Sequence, residues 1–166
     1  MNTTDIFARA TTGDYSPSIT TGDFAHALTA GHFAHATTAG RSSSATTTGY
    51  SAHALTAGNG AHATTTGYSA HALTAGDDAH ATTAGRLAHA VTTSGRSASS
   101  VSGANSIAIA VGYNSSARAA NGGFIVLAQY DEDTVVAVKT AQVGKDGIKP
   151  DTWYTLSPTG EFVEAE

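Results

Sequence analysis

Cysteine is absent from the sequence, which excludes disulfides and thiolate zinc sites outright. Proline occurs three times and tryptophan once, and charged residues make up 13% of the chain. The scarce charge is unevenly spread. Residues 1–123 balance five acids (Asp5, Asp14, Asp23, Asp77, Asp78) against five arginines (Arg9, Arg41, Arg86, Arg96, Arg118). Residues 124–166 set eight acids against Lys139, Lys145 and Lys149, and so supply the whole net charge of −5. Without a basic stripe the chain has no electrostatic footprint for nucleic acid. No apolar run is long enough to cross a membrane, and Met1 to Ala10 lacks the charged-then-apolar layout of a secretion signal.

What the chain has in abundance is Ala, Thr, Ser and Gly, and they repeat. Thr46-Thr-Thr-Gly-Tyr-Ser-Ala-His-Ala-Leu-Thr-Ala-Gly58 recurs unchanged as Thr64 to Gly76, eighteen residues on. Asn59-Gly-Ala-His-Ala63 echoes it at half the interval, so the unit is nine residues, Ala-His-Ala-x-Thr-x-Gly-x-x. A fixed short period signals stacked units. The first position is Ala25, Ala34, Ser43, Ala52, Ala61, Ala70, Ala79 and Ala88; the third is alanine from Ala27 to Ala90. The fifth is threonine from Thr29 to Thr92, and the seventh is glycine from Gly31 to Gly85, slipping by one residue to Gly95. Small residues at alternate positions describe a strand with one face against a narrow interior. Glycine and two free residues then make a corner. A helix is excluded, because Thr and Gly in every unit would cost about 1 kcal/mol or more and no 3.6-residue stripe is present.

The expected fold is therefore all-β: a parallel β-solenoid, a β-roll or β-helix, with about 18 residues per coil and a small C-terminal β cap. A three-sided coil of twenty-seven residues is the alternative, and the verbatim eighteen-residue copy favours two sides. Inward Thr hydroxyls are expected to bond to backbone or to one another. Residues 1–9, with Ile6 and Phe7, read as an N-terminal cap, residues 10–120 as the solenoid, and residues 121–166 as a C-terminal module for capping or oligomerisation. Pro17 suits an end coil. After Val91 the repeat loosens: Thr92-Thr-Ser-Gly95 reads as one residue too many, returned at Ser102-Gly103. Ile107, Ile109 and Val111 turn the outer face apolar, which anticipates a cover. Phe124–Ala128, Thr134–Val138, Trp153–Leu156 and Glu161–Glu164 read as strands separated by turns at 131–133, 144–147 and 157–160.

Asn105-Ser-Ile-Ala-Ile-Ala-Val-Gly-Tyr-Asn-Ser-Ser-Ala117 resembles the head repeat of trimeric autotransporter adhesins, which coils as a left-handed parallel β-roll. The period here is shorter, and the sequence shows no membrane anchor, coiled-coil stalk or export signal. A closer resemblance is to short phage and prophage proteins built of Ala-Thr-Thr-Gly-x-x-Ser-x-Ala nonapeptides. Their tail is matched by Ala119-Ala-Asn-Gly-Gly-Phe-Ile-Val-Leu127, Asp151-Thr-Trp-Tyr-Thr-Leu156 and Gly160-Glu-Phe-Val-Glu164. That resemblance covers nearly the whole chain. It implies phage origin, a solenoid with a β cap, and residence in the host cytoplasm or the virion; it implies no chemistry and no cofactor.

Six constellations compete as sites or interfaces. His26, His35, His53, His62, His71, His80 and His89 share one outward position, and His35, His53, His71 and His89 form an unbroken ladder. Imidazoles about 4.8 Å apart are a metal candidate, although a straight ladder lacks converging ligands; a plain stacking role is the simpler reading. The Thr-x-Thr pairs Thr46/Thr48 and Thr64/Thr66 resemble an ice-binding array. Asp14, Asp23, Asp77 and Asp78 follow glycines as in calcium-binding rolls, but most corners have no acid. His80 beside Asp77 and Asp78 is an acid–base neighbourhood on an exposed corner without a pocket, so catalysis is not expected. The corner aromatics Phe24, Phe33, Tyr50 and Tyr68 are candidate anchors for a protein partner. Phe124, Val126, Trp153, Tyr154 and Phe162 are candidates for a homo-oligomer, a trimer first, because a forty-residue module needs a surface to lean on.

The leading functional expectation is a non-enzymatic phage-type protein acting by protein–protein interaction. It would block a host-defence component or bind a virion or cell-surface structure. A structural spacer or trimeric fibre segment, and ice or metal binding through the Thr or His ladders, are the alternatives.

Overall fold

The computed structural model describes residues 8–165, which are all-β, with no helix among them. Thirteen short strands come first: β1 (Ala8–Thr12), β2 (Pro17–Thr21), β3 (His26–Ala30), β4 (His35–Ala39), β5 (Ser44–Thr48), β6 (His53–Ala57), β7 (His62–Thr66), β8 (His71–Ala75), β9 (His80–Ala84), β10 (His89–Thr92), β11 (Ala98–Val101), β12 (Ile107–Ala110) and β13 (Ser116–Ala119). Four more follow: β14 (Phe124–Asp131), β15 (Thr134–Gln142), β16 (Tyr154–Leu156) and β17 (Phe162–Glu164). Odd strands up to β13 stack in parallel in a nine-stranded sheet completed by β16 and β17. Even strands stack in an eight-stranded sheet that ends in β14 and β15. The protein is thus a two-sided parallel solenoid: Ala54 lies beside Ala72, and Thr56 beside Thr74, eighteen residues apart.

The nine-residue unit explains each turn of the path. Positions one, three and five face inward and are buried, as at Ala52, Ala54 and Thr56. Alanine buries little apolar area, so ladder hydrogen bonds and close sheet contact carry much of the stability. The bonding continues around the corners: the N–H of Gly49 donates to Thr66 at 2.9 Å and that of Gly67 to Ala84 at 2.9 Å. At the seventh position Gly67 has φ +150°, and a Cβ there would overlap the carbonyl oxygen of Gly49 one coil earlier. Glycine is the residue that both the dihedral and the contact admit.

Two expectations about the interior need correcting. The inward hydroxyls of Thr20, Thr29, Thr47, Thr56, Thr65, Thr74 and Thr83 make no hydrogen bond. Stacked equivalents repeat at about 4.8 Å, out of mutual reach, and the neighbouring backbone is occupied by the ladder. Thr38 shows what is missing, because its hydroxyl meets Ser43 at 3.1 Å and Ser43 donates onward to the carbonyl of Gly40 at 2.8 Å. Ser43 holds a first position that is otherwise alanine from Ala25 to Ala88. Ala52→Ser is therefore expected to accept from Thr47 and to raise stability by about 1 kcal/mol in denaturant titration. A loss would contradict this local geometry.

The register also does not slip near Gly95. Strand β10 pairs with β8 and β12 at a constant eighteen residues, as does β11 with β9 and β13. Ser94 takes the seventh position, and its hydroxyl accepts the N–H of Gly76 at 3.1 Å. The apparent insertion is a substitution. Beyond it, Ser97, Ser106 and Ser115 replace the first-position alanine, and their hydroxyls donate to carbonyls of the preceding coil at Gly76, Gly85 and Ser94.

The C-terminal segment extends the stack instead of folding across it. Strand β14 pairs in parallel with β12 and then turns back antiparallel into β15, while β16 pairs antiparallel with β13. The interior thickens there, with Ile125, Leu127, Val143, Ile148 and Tyr154 replacing Ala and Thr. Ile107 and Ile109 consequently stay half-buried on the outer face beside Phe124 and Val126, without the cover expected for them. Strand β1 starts at Ala8, inside the expected cap; Ile6 and Phe7 lie outside the described residues. No helix of the described residues is long and apolar enough to cross a membrane.

Candidate functional site

Two-sided coiling sends alternate units to opposite faces, and the two faces differ in chemistry. Outward positions of the nine-stranded sheet are largely hydroxyl-bearing: Thr46, Thr48, Thr64, Thr66, Thr82 and Ser100. The Thr-x-Thr array spans β5 and β7 and loses its second column at Ala84. Outward positions of the eight-stranded sheet carry His35, His53, His71 and His89 in one column and Ile19, Thr37, Leu55, Leu73, Val91, Ile109 and Val126 in the next. A groove of about 350 Å³ runs between these columns over the backbone of Ala36, Ala54 and Ala72.

The imidazoles stack as their spacing requires. His35, His53, His71 and His89 follow one another at centroid separations of 4.9 Å, with planes within 9° of parallel. His62 and His80 stack at 5.0 Å on the other sheet, where Ser44 separates them from His26. Ring lone pairs lie in the ring planes, so parallel rings aim them along parallel lines and not at one ion. Among the described residues no group of three His, Asp or Glu converges on a metal-sized space.

Burial first, then His35, pushes His53 below the usual imidazole value; burial, then His53 and His89, does the same to His71. His80 is lowered by burial and then by His62, with Asp78 opposing. Each binds fewer protons folded than unfolded. Their contribution is complete above about pH 6.5 and is lost as the pH falls below that value. The thermal midpoint should therefore drop on going from about pH 7.5 to about pH 5, and drop less in the His53→Gln, His71→Gln double variant. At neutral pH, His53→Gln alone should stay within about 0.5 kcal/mol of the parent. An equal acid drop in parent and double variant would remove the ladder as its cause.

Four aromatics gather on one corner, which also carries Asp14 and Arg86. On the corner leading into the eight-stranded sheet, Tyr15 stacks on Phe33 at 5.0 Å, Phe33 meets Tyr50 edge-on at 5.9 Å, and Tyr50 stacks on Tyr68 at 5.4 Å. All four rings are exposed. Phe24 stands apart on the opposite corner, one coil from Ser42. Tyr15 was not singled out by the sequence reasoning; its eighteen-residue distance from Phe33 was the available signal. The opposite corner holds Asp23, Arg41, Asp77, Asp78 and Arg96.

The corner acids have structural partners. Asp14 accepts the N–H of His32 at 2.9 Å, Asp23 that of Arg41 at 2.9 Å, and Asp77 that of Gly95 at 3.1 Å, each one coil on. Asp78 takes two hydrogen bonds from the Arg96 guanidinium, at 2.8 and 3.0 Å, which hold its carboxyl below the usual range. The Asp78–His80 neighbourhood is thereby committed to an exposed ion pair. A second cleft, about 160 Å³ between Tyr113, Gln129, Tyr130 and Pro158, is lined by no acid, lysine or histidine.

In the C-terminal segment Tyr154 is buried in the chain's own core. Arg118 lies 4.6 Å over the Trp153 ring, and Phe162 is half-buried against the same core. Phe124 and Val126 point outward on the eight-stranded sheet. Comparison with protein-family models, with curated proteins and with solved structures finds no match to the chain.

Proposed function

We propose that the protein is a non-enzymatic interaction scaffold that docks a protein partner along its aromatic corner. The observation that carries this reading is the exposed row Tyr15, Phe33, Tyr50 and Tyr68, held in register by a stack of coils. Rings fixed by one another lose little conformational freedom on binding, and Tyr is among the residue types that dominate protein interfaces. The resemblance to phage nonapeptide proteins supports a partner in the host, either a defence component that is blocked or a cell-surface or virion structure that is held. In affinity capture from host extract, the intact chain should retain a specific protein that a Tyr50→Ala, Tyr68→Ala variant with unchanged circular dichroism loses. Capture unaffected by the double substitution, or none, would sink this reading and leave a spacer in its place.

A further inference from the structure

We propose that the outward face of the eight-stranded sheet binds a second copy of this chain, face to face, about a two-fold axis that sets the solenoids antiparallel. The face is separate from the aromatic corner, so the inference stands on its own observation. From Pro17 on β2 to Ala128 on β14, the outward positions of this sheet hold no Asp, Glu, Lys or Arg. They hold instead Ile19, Leu55, Leu73 and Phe124, all exposed, beside the histidine ladder. A contiguous uncharged face of this size on a sheet is unusual for a surface left to water. Sheets with an apolar outer face meet another sheet about 10 Å away.

Three features select a second copy as the occupant. The first is pitch. Histidine rings repeat at 4.9 Å along the face, and the aliphatic column follows the same ladder with a groove beside it. A two-fold axis along the strands sets like column against like, so the Leu55 and Leu73 side chains of one copy seat between successive coils of the aliphatic column of the other. The second is area. The sheet spans roughly 34 Å by 16 Å, so pairing covers roughly 500 Å² on each copy and 1,000 Å² in all, the size at which specific interfaces begin. The third is charge. A charged partner finds no counterpart on this face, whereas an identical one brings no repulsion. The net charge lies wholly in residues 124–166, and antiparallel solenoids place those two acidic segments at opposite ends. Phe124 and Val126 then face the N-terminal coils of the other copy.

Sedimentation velocity at tens of micromolar and about pH 7.5 should give twice the chain mass. Leu73→Lys, and separately Leu55→Lys, should weaken association by at least about tenfold, because each buries an unpaired ammonium twice in the interface. Thr64→Lys, on the other sheet, should leave the dimer unchanged, and circular dichroism should stay β-rich in all three. A monomeric intact chain, a trimer, or a dimer indifferent to both leucine substitutions would overturn the proposal. None of these outcomes depends on capture through Tyr50 and Tyr68, so the two readings fail separately.

Discussion

Gly67→Ala should unfold the coils around it, with a stability loss on the order of 3 kcal/mol or more in denaturant titration. Two independent costs add at this position. Its φ of +150° lies where L side chains are rarely found, and a methyl would overlap the backbone carbonyl oxygen of Gly49 in the preceding coil. The blocking atom is backbone, so no side-chain rotation relieves it; the coils must part, and the hydrogen bond from the Gly49 N–H to Thr66 in the same corner is strained with them. Gly122, where a Cβ meets nothing within 4 Å, provides the contrast. There φ is +79°, so Gly122→Ala carries only the dihedral cost of about 1–3 kcal/mol. Equal losses at the two sites would mean that coil contact is not what makes the seventh position glycine.

Ala72→Leu should cost about 1–3 kcal/mol or more by overpacking. Ala72 is 1% exposed, lies between Ala54 and Ala90 in its own sheet, and belongs to a core made of alanines until Val101. The interior is set by alanine on both sides, so three added carbons have no cavity to enter and must push the sheets apart. The same substitution on the outer face, Ala75→Leu, adds apolar surface to an exposed site and should change stability by less than about 0.5 kcal/mol. The pair therefore tests inward against outward in a single strand. A tolerated Ala72→Leu would contradict the thin core.

What the sequence disclosed, and what it hid, follows from the range of each interaction. Inward Ala, Ala and Thr were legible because strand alternation is local and a narrow interior admits little else. The His35–His53–His71–His89 stack was legible because the eighteen-residue copy places equals over equals. The bonds of Asp14, Asp23 and Asp77 were not, since each joins a corner to the next coil and local spacing shows no partner. The aromatic row was legible in part: Phe33, Tyr50 and Tyr68 stood out at their corners, whereas Tyr15 did not and Phe24 belongs to the opposite corner. Ser94 looked like an insertion because the eye follows glycine, whereas the register follows the ladder. The unpaired Thr hydroxyls went against an ordinary expectation of buried polar groups. Their partner, a serine at the first position, is present for Thr38 at Ser43 and replaced by alanine for the others.

Much of this rests on two-sided coiling, which sends alternate nine-residue units to a hydroxyl face and an uncharged imidazole–aliphatic face. Absence of cysteine makes that directly measurable, because Leu28→Cys and Arg118→Cys admit one spin label each. These residues are joined by an unbroken series of outward neighbours, Leu28, Thr46, Thr64, Thr82, Ser100 and Arg118, on one face. Five steps of about 4.8 Å predict an electron–electron distance centred near about 24 Å within the reach of the label tethers. Coils of twenty-seven residues would place the same pair on different sides with an axial rise of about 16 Å. A distribution centred there, or one without a defined maximum, would contradict the account.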